Sequence, residues 1–192
     1  MNLRELLKKS RSCRRFKGSE PVALDDLKSA VENVRFAPSP ANLQPLKFII
    51  CIKDNINKKI FSNTKWAVYL KDWDGPEEGE RPGAYILILG TRNMSAHIHW
   101  DYGIALQTIL LSLAEKGYGA CTVAAIDRDA IREILSIPKK YDLPALIAVG
   151  RPDEEIVIDD IKDDRFKYWR DDKDVHHVPK RAFKDLVYKI IS

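Results

Sequence analysis

The chain predicts a domain of mixed helix and strand, with a central sheet covered by helices on both faces. Short apolar runs recur at 46–52 (LKFIICI), 84–90 (AYILILG) and 144–150 (PALIAVG), with a weaker fourth at 120–126 (ACTVAAI). Their length and β-branched content suit buried strands. Segments of helical period separate them, which is the pattern of a sheet packed on two sides. With 192 residues, 45% hydrophobic and 31% charged, the chain is long enough for one substantial core.

Taken in order, MNLRELLKKS reads as a short helix with Leu3, Leu6 and Leu7 on one side, unlike the apolar middle of a signal peptide. The following SRSCRRFKGSEPV crowds Arg11, Ser12, Arg14 and Arg15 at a helix end. Guanidinium forks, a hydroxyl and a helix terminus suit a phosphate, and a solvated basic turn is the plain alternative. Residues 24–36 place Leu24, Leu27, Val31 and Val34 on one stripe, with Asp25 and Asp26 complementing the helix dipole in the first turn. This helix leads into APSPANLQP at 37–45, where three prolines make a rigid loop beside the first strand and hold its polar groups in fixed positions.

Residues 62–83 carry Trp66, Tyr69 and Trp73 beside an acidic turn and read as a lid or pocket wall, or equally as satellite packing. The helix from Trp100 to Leu113 is apolar nearly all the way round and is expected to be buried in a core or at a subunit interface, with Gly117 closing it. Residues 153–180 are heavily charged yet include Phe166, Tyr168 and Trp169, as expected of an arm wrapping another surface. KRAFKDLVYKII, from Lys180, reads as a C-terminal amphipathic helix.

Thirty-two basic against 28 acidic side chains leave a net charge of +4, too small to argue for nucleic acid, while anionic small molecules stay open. The three cysteines, Cys13, Cys51 and Cys121, are scattered and lack CxxC spacing, which speaks against a disulfide framework or a zinc site and for a reducing, cytoplasmic setting. No apolar run approaches the ~20 residues of a membrane span. GYGA at 117–120 does not continue as GxGxxG, and no phosphate-loop motif occurs. His97 and His99 are poorly placed for one metal, His176 and His177 read as solvent or core residues of a charged arm, and no nucleophile stands beside a base.

RSCRRF near the start, PSPANLQP after the second helix, DYGIALQTILLSLAEKGYGACT, the strand ending IAVGRP and the late VPKR together resemble, in their order and spacing, the nitroreductase family of FMN-dependent oxidoreductases. The resemblance covers nearly the whole chain. It implies one domain over 1–192 of the α+β class, with a central mixed, mainly antiparallel sheet flanked by helices. It also implies an intertwined homodimer with an FMN in each of two interface sites. Arg11, Ser12 and Arg14 match the motif that holds the flavin phosphate, ribityl chain and ring edge, and Lys180 and Arg181 match the late cations that complete the phosphate site. Pro38, Ser39 and Asn42 match the loop that reaches the flavin from the partner subunit, with Gln44 following in the motif. Ala124 and Ala125 fall where the family places backbone amides near the reactive edge of the ring. Leu46, Trp66, Tyr69 and Trp73 are the expected substrate-pocket residues, Leu46 standing where many members carry tryptophan. Thr122 and the alanines after it depart from the family's more usual Trp or Gly pattern.

The resemblance also implies the chemistry: NADH or NADPH delivers hydride to FMN, leaves, and a small oxidised acceptor such as a nitroaromatic, quinone or free flavin takes its place. The cofactor then does the reacting, which accounts for the missing nucleophile. Two alternatives stand beside this. One is specialised flavin chemistry on the same fold, such as reductive dehalogenation or flavin cleavage. The other is a non-enzymatic anion- or RNA-binding protein, although its aromatic residues are not interleaved with the basic clusters as stacking platforms would be.

Overall fold

The computed structural model describes residues 1–191. The four apolar runs form the central sheet: β1 (Leu46–Cys51), β2 (Ala84–Thr91), β3 (Gly119–Val123) and β4 (Tyr141–Gly150). Their order is β1-β2-β4-β3, antiparallel at every pairing. β4 begins before Pro144, a residue that cannot donate to a ladder. The β2–β4 register shifts between Ile88 and Gly90, opposite that stretch, so the proline sits at an irregularity and not in a regular pairing. Arg128 donates to the carbonyls of Leu143 (3.0 Å) and Pro144 (3.1 Å) at the same place.

Alternation along β2 and β4 explains the two layers. Ala84, Ile86, Ile88, Ile147 and Val149 face α2 (Leu24–Glu32) and α4 (Ile98–Glu115), packing with Leu27, Ala30, Ile109 and Leu113. Tyr85, Leu87, Leu146 and Ala148 face α3 (Asp54–Phe61) and α5 (Arg128–Leu135), packing with Ile60, Ile131, Phe16 and Trp66. Both faces are therefore covered, as the near-continuous apolar runs required. Within α2, Leu27 and Ala30 are the buried positions, whereas Leu24 is exposed and Val34 lies in a short 3₁₀ turn over Asn33–Phe36. α4 ends as expected, with Gly117 at φ +81° and the Tyr118 amide bonded to the Leu113 carbonyl at 2.9 Å.

Two local expectations are corrected, for RSCRRF and for the C-terminal helix, and the arm gains a defined structure. After α1 (Leu3–Lys9), the RSCRRF stretch is extended and not a turn. Ser12 makes a parallel bridge to Ala120 of β3, and Phe16 an antiparallel bridge to Pro152. The 153–180 segment contains a second small sheet, β5 (Ile156–Asp160), β6 (Trp169–Arg170) and β7 (His176–Lys180), in the order β5-β7-β6 with β5 and β7 parallel. This arm packs on the N-terminal segment of its own chain through the Arg14–Glu154–Arg170 contacts described below. Past Lys180, Phe183–Leu186 (α6) is the one helical stretch among the described residues. Phe183, Leu186, Tyr188 and Ile190 are exposed, so the amphipathic pattern has no apolar surface to pack against within the chain, and an isolated helix of that length is not stable in water.

α4 is less enclosed than its composition predicts. Tyr102, Ala105, Ile109 and Leu113 are buried, but Trp100 is 63% exposed and Gly103 and Gln107 also face outward. No helix among the described residues is long and apolar enough to cross a membrane. The three cysteines are free and buried, and burial raises the thiol pKa of each.

Candidate cofactor site

Ser12 bridges the edge of β3, while β7 ends at Lys180 on the arm packed over that same edge. The fold thus brings both ends of the chain to one cavity of about 400 Å³, lined by Arg11, Ser12, Arg14 and Lys180 with Gln107 of α4 and Tyr168, His176 and Phe166 of the arm. Arg11 donates from Nη2 to the Leu7 carbonyl at 2.8 Å, and its Nε is buried without a partner. Burial lowers the Arg11 pKa; burial and then the Arg11 charge lower that of Lys180, with no acidic group among the causes. A half-buried Arg11 with an orphaned donor, repelled by the exposed Lys180 beside it, makes a poor structure alone and a good anion site. A phosphate dianion fits these residues, since it would accept from the buried Nε and offset the repulsion. Arg181 lies elsewhere, exposed and 3.5 Å from Asp164.

Arg14 is fixed from several sides. Its Nη1 donates to the Ser12 carbonyl at 3.2 Å and meets His176 Nε2 at 3.0 Å, and its guanidinium lies 4.7 Å from the Tyr168 ring centroid. The Arg14 and Arg15 amides both donate to Glu154, which also accepts from Arg170 Nη2 at 2.9 Å. The Glu154 side chain is 2% exposed. This carboxylate, with Arg170, ties the arm to the N-terminal segment.

The paired arm histidines have opposite chemistry. His176 is fully buried, and burial, followed by the Arg14 charge, pushes its pKa down to about 4. The neutral ring therefore accepts from Arg14 at Nε2. His177 lies between Asp159 (Nδ1, 2.8 Å) and Asp171 (Nε2, 3.4 Å) and stacks on Trp169, and the carboxylates raise its pKa. From the ordinary histidine value of 6.5 down to about 4, the unfolded chain takes up a proton at residue 176 that the folded arm does not, so stability falls as pH falls. At His177 the sign reverses: its contribution is complete below 6.5 and is lost as pH rises through the raised folded value. Urea unfolding followed by tryptophan fluorescence is expected to show the arm most stable near pH 6.5, and His177→Ala to remove the alkaline limb while leaving the acid limb.

Ala124 and Ala125 lie exposed just past β3. At ~3.3 Å per strand residue, Ala124 is ~13 Å along the strand from Ala120, which lines the anion cavity. The 62–83 segment begins beside these alanines: Lys65 donates its amide to the Ala125 carbonyl at 2.8 Å, and Thr64 bridges Ile126. Within it Trp66 is a core residue, 8% exposed, with its indole NH on Thr64 Oγ1 at 2.9 Å. Trp73 packs under the guanidinium groups of Arg170 (4.5 Å) and Arg15 (5.9 Å). Tyr69 is half exposed, its ring 5.0 Å from that of Tyr168. Of the three aromatic residues, Tyr69 alone keeps an open surface near the cavity wall.

Pro38, Ser39, Asn42, Gln44 and Leu46 line a different cavity, of about 250 Å³, with Asp101 and Ile104. Within one chain the loop does not meet the Arg11 cavity, because the two lie on different sides of α4: Asp101 and Ile104 face one, Gln107 and Leu110 the other. The loop is held in an unusual shape, with Ala41, Asn42 and Gln44 at φ of 50°, 55° and 49°. Ser39 Oγ donates to Asp101 Oδ1 at 2.6 Å and accepts from the Gln44 amide at 3.0 Å. Asp101 is 4% exposed and its Oδ2 is buried without a partner.

Asp101, Glu154, Tyr168 and His176 are absent from the site expected from sequence. Asp101 had a signal, a lone charge inside the apolar helix; Glu154 and the arm residues sit in a charged stretch where nothing local distinguishes a buried carboxylate from a solvated one.

The Nitroreductase family matches residues 7–151, three quarters of the chain. An iodotyrosine deiodinase from Thermotoga neapolitana is 26% identical over 169 residues, covering 79% of this chain and 89% of that protein. A solved FMN-dependent nitroreductase from Clostridium difficile R20291 superposes with a TM-score of 0.63 at 25% identity, covering 78% of this chain and 87% of the other. A nitroreductase family protein from Clostridium novyi NT gives a TM-score of 0.67 at 22% identity over 96% of this chain and 98% of the other, so the likeness of fold extends into the arm. The antiparallel sheet with helices on both faces is thus the α+β nitroreductase fold, and the chain belongs to the nitroreductase family.

Proposed function

We propose that the chain is an FMN-dependent oxidoreductase that accepts hydride from NADH or NADPH and reduces a small oxidised acceptor. The observation that carries this reading is the juxtaposition of Arg11 and Lys180, cations without an acidic partner, at the foot of a strand that leads toward Ala124 and Ala125. Arg11, Ser12 and Lys180 hold the phosphate, and Arg14, held by Tyr168 and His176, presents charge further along the cavity. Bound FMN supplies the hydride chemistry, so the protein's part is to bind, orient and exclude water.

The protein acts as a homodimer in this reading. Support comes from the separation of the two half-sites across α4 and from the exposed Trp100, Leu3 and Leu7 beside them. A two-fold partner would bring its 38–44 loop to the Arg11 cavity. A second reading, reductive dehalogenation, is favoured by the likeness to an iodotyrosine deiodinase.

Purified protein reconstituted with FMN is expected to show flavin absorption that NADH or NADPH bleaches and that a quinone or nitroaromatic restores. Failure to retain FMN would overturn the reading. Release of iodide from iodotyrosine by the reduced protein, with little quinone turnover, would select the second reading.

A further inference from the structure

The loop at 38–44 closes on itself: Gln44 Nε2 donates to the Asn42 carbonyl and side-chain oxygen, both at 3.1 Å, and the Asn42 amide donates to the Ser39 carbonyl at 2.9 Å. With three non-glycine residues at positive φ, this shape is not one the backbone prefers by itself. Something outside must hold it. The prolines limit where the loop can go without selecting this form, and Gln44 is itself one of the strained residues.

We propose that Asp101 is a positioning residue that holds the loop in its cofactor-facing shape by acting through Ser39. A hydroxyl has one proton to donate, and here that proton is directed to Asp101 Oδ1 at 2.6 Å, a short charge-assisted bond. The Ser39 lone pairs are thereby turned toward the Gln44 amide, which they accept at 3.0 Å. One carboxylate thus fixes both ends of the strained segment, Ser39 directly and Gln44 through it. The carboxylate is itself rigid, because it projects from the first turn of α4, where the helix dipole favours a negative charge and the neighbouring turns are anchored by Tyr102, Ala105 and Ile109 in the core. Burial removes water as a competitor for Ser39, since Asp101 is 4% exposed. A second consequence concerns recognition: with its proton committed, Ser39 can only accept from a ligand, so any ligand group it touches must be an N–H or O–H.

The consequence for cofactor binding rests on the FMN reading above, whereas the tether itself does not. In the apoprotein, exchange of the Gln44 amide, measured by NMR, is expected to accelerate by about tenfold or more in Asp101→Ala and equally in Ser39→Ala, with no further gain in the double variant. Amides of Tyr85–Leu89 in β2 report global unfolding and are expected to stay protected. Asp101→Asn, which keeps an acceptor oxygen of the same shape, is expected to restore most of the Gln44 protection. For FMN, Asp101→Ala and Ser39→Ala are each expected to weaken binding about tenfold, again without adding, and Asp101→Asn to recover it. Unchanged Gln44 exchange in Asp101→Ala, additive effects of the two substitutions, or unchanged FMN affinity in both alanine variants would overturn the proposal. If the unsubstituted protein fails to bind FMN, the cofactor reading falls, and the Gln44 exchange alone decides whether Asp101 tethers the loop.

Discussion

Glu154→Ala is expected to destabilise the protein by about 3–5 kcal/mol, the largest effect of any single side chain considered, measured as a shift in urea midpoint. The reason is what it leaves behind. The Glu154 carboxylate is 2% exposed and the Arg170 guanidinium 10%, and the Arg14 and Arg15 amides point at the same carboxylate. Removing it leaves two amide donors without their acceptor and the buried Arg170 with only the longer, more exposed pairing to Asp174 at 3.6 Å, so most of the desolvation cost stays uncompensated. Trp73, which lies under Arg170, gives a local signal: its fluorescence is expected to change at lower urea than unfolding of the sheet as a whole. Glu154→Gln, which keeps an acceptor oxygen but loses the charge, is expected to fall between the two. An unchanged midpoint in Glu154→Ala would mean that the arm is not held to the N-terminal segment as described.

Arg11→Ala is expected to weaken FMN by ~1.5–3 kcal/mol, roughly 10- to 150-fold in dissociation constant, with the fold intact. Arg11 spends one donor on the Leu7 carbonyl at the end of a helix with no buried residues, so little of the core depends on it. Its buried Nε has no partner among the described residues, and an anion would satisfy it and offset the repulsion of Lys180. The same substitution is therefore expected to leave the apoprotein as stable as before, or slightly more so, while flavin affinity drops. Fluorescence titration of FMN alongside thermal unfolding of the apoprotein tests both halves. Unchanged affinity would show that the phosphate is held elsewhere.

The sheet is legible in the sequence because strands buried on both faces must be apolar at nearly every position: AYILILG is, and LKFIICI, at the sheet edge, departs only at the exposed Lys47. Gly117 and the acidic first turn of α2 are legible for the same kind of local reason. KRAFKDLVYKII misleads because helical period says which face would be buried but not whether a surface exists to bury it, and here Phe183 and Leu186 find none within the chain. RSCRRF misleads in another way: charge clustering marks it as an anion site whether it is turned or extended, so its conformation is set by β3, far away in sequence. The stiffness of APSPANLQP is written in its prolines. Its positive-φ positions are not, because they fall on Ala41, Asn42 and Gln44, without a glycine, and follow from a bond to Asp101 that no local pattern records.

The meeting of Arg11 with Lys180 has a consequence for the life of the molecule. The anion cavity joins segments far apart in sequence, so it does not exist until the stretch that carries Lys180 has been made and the arm has docked. In the FMN reading, uptake of the flavin then inspects the fold, and only chains made through β7 with a docked arm can pass. A cut before β7 is expected to remove Lys180 and His176 from the cavity without touching the central sheet, so retained flavin would serve as a measure of how many arms are docked.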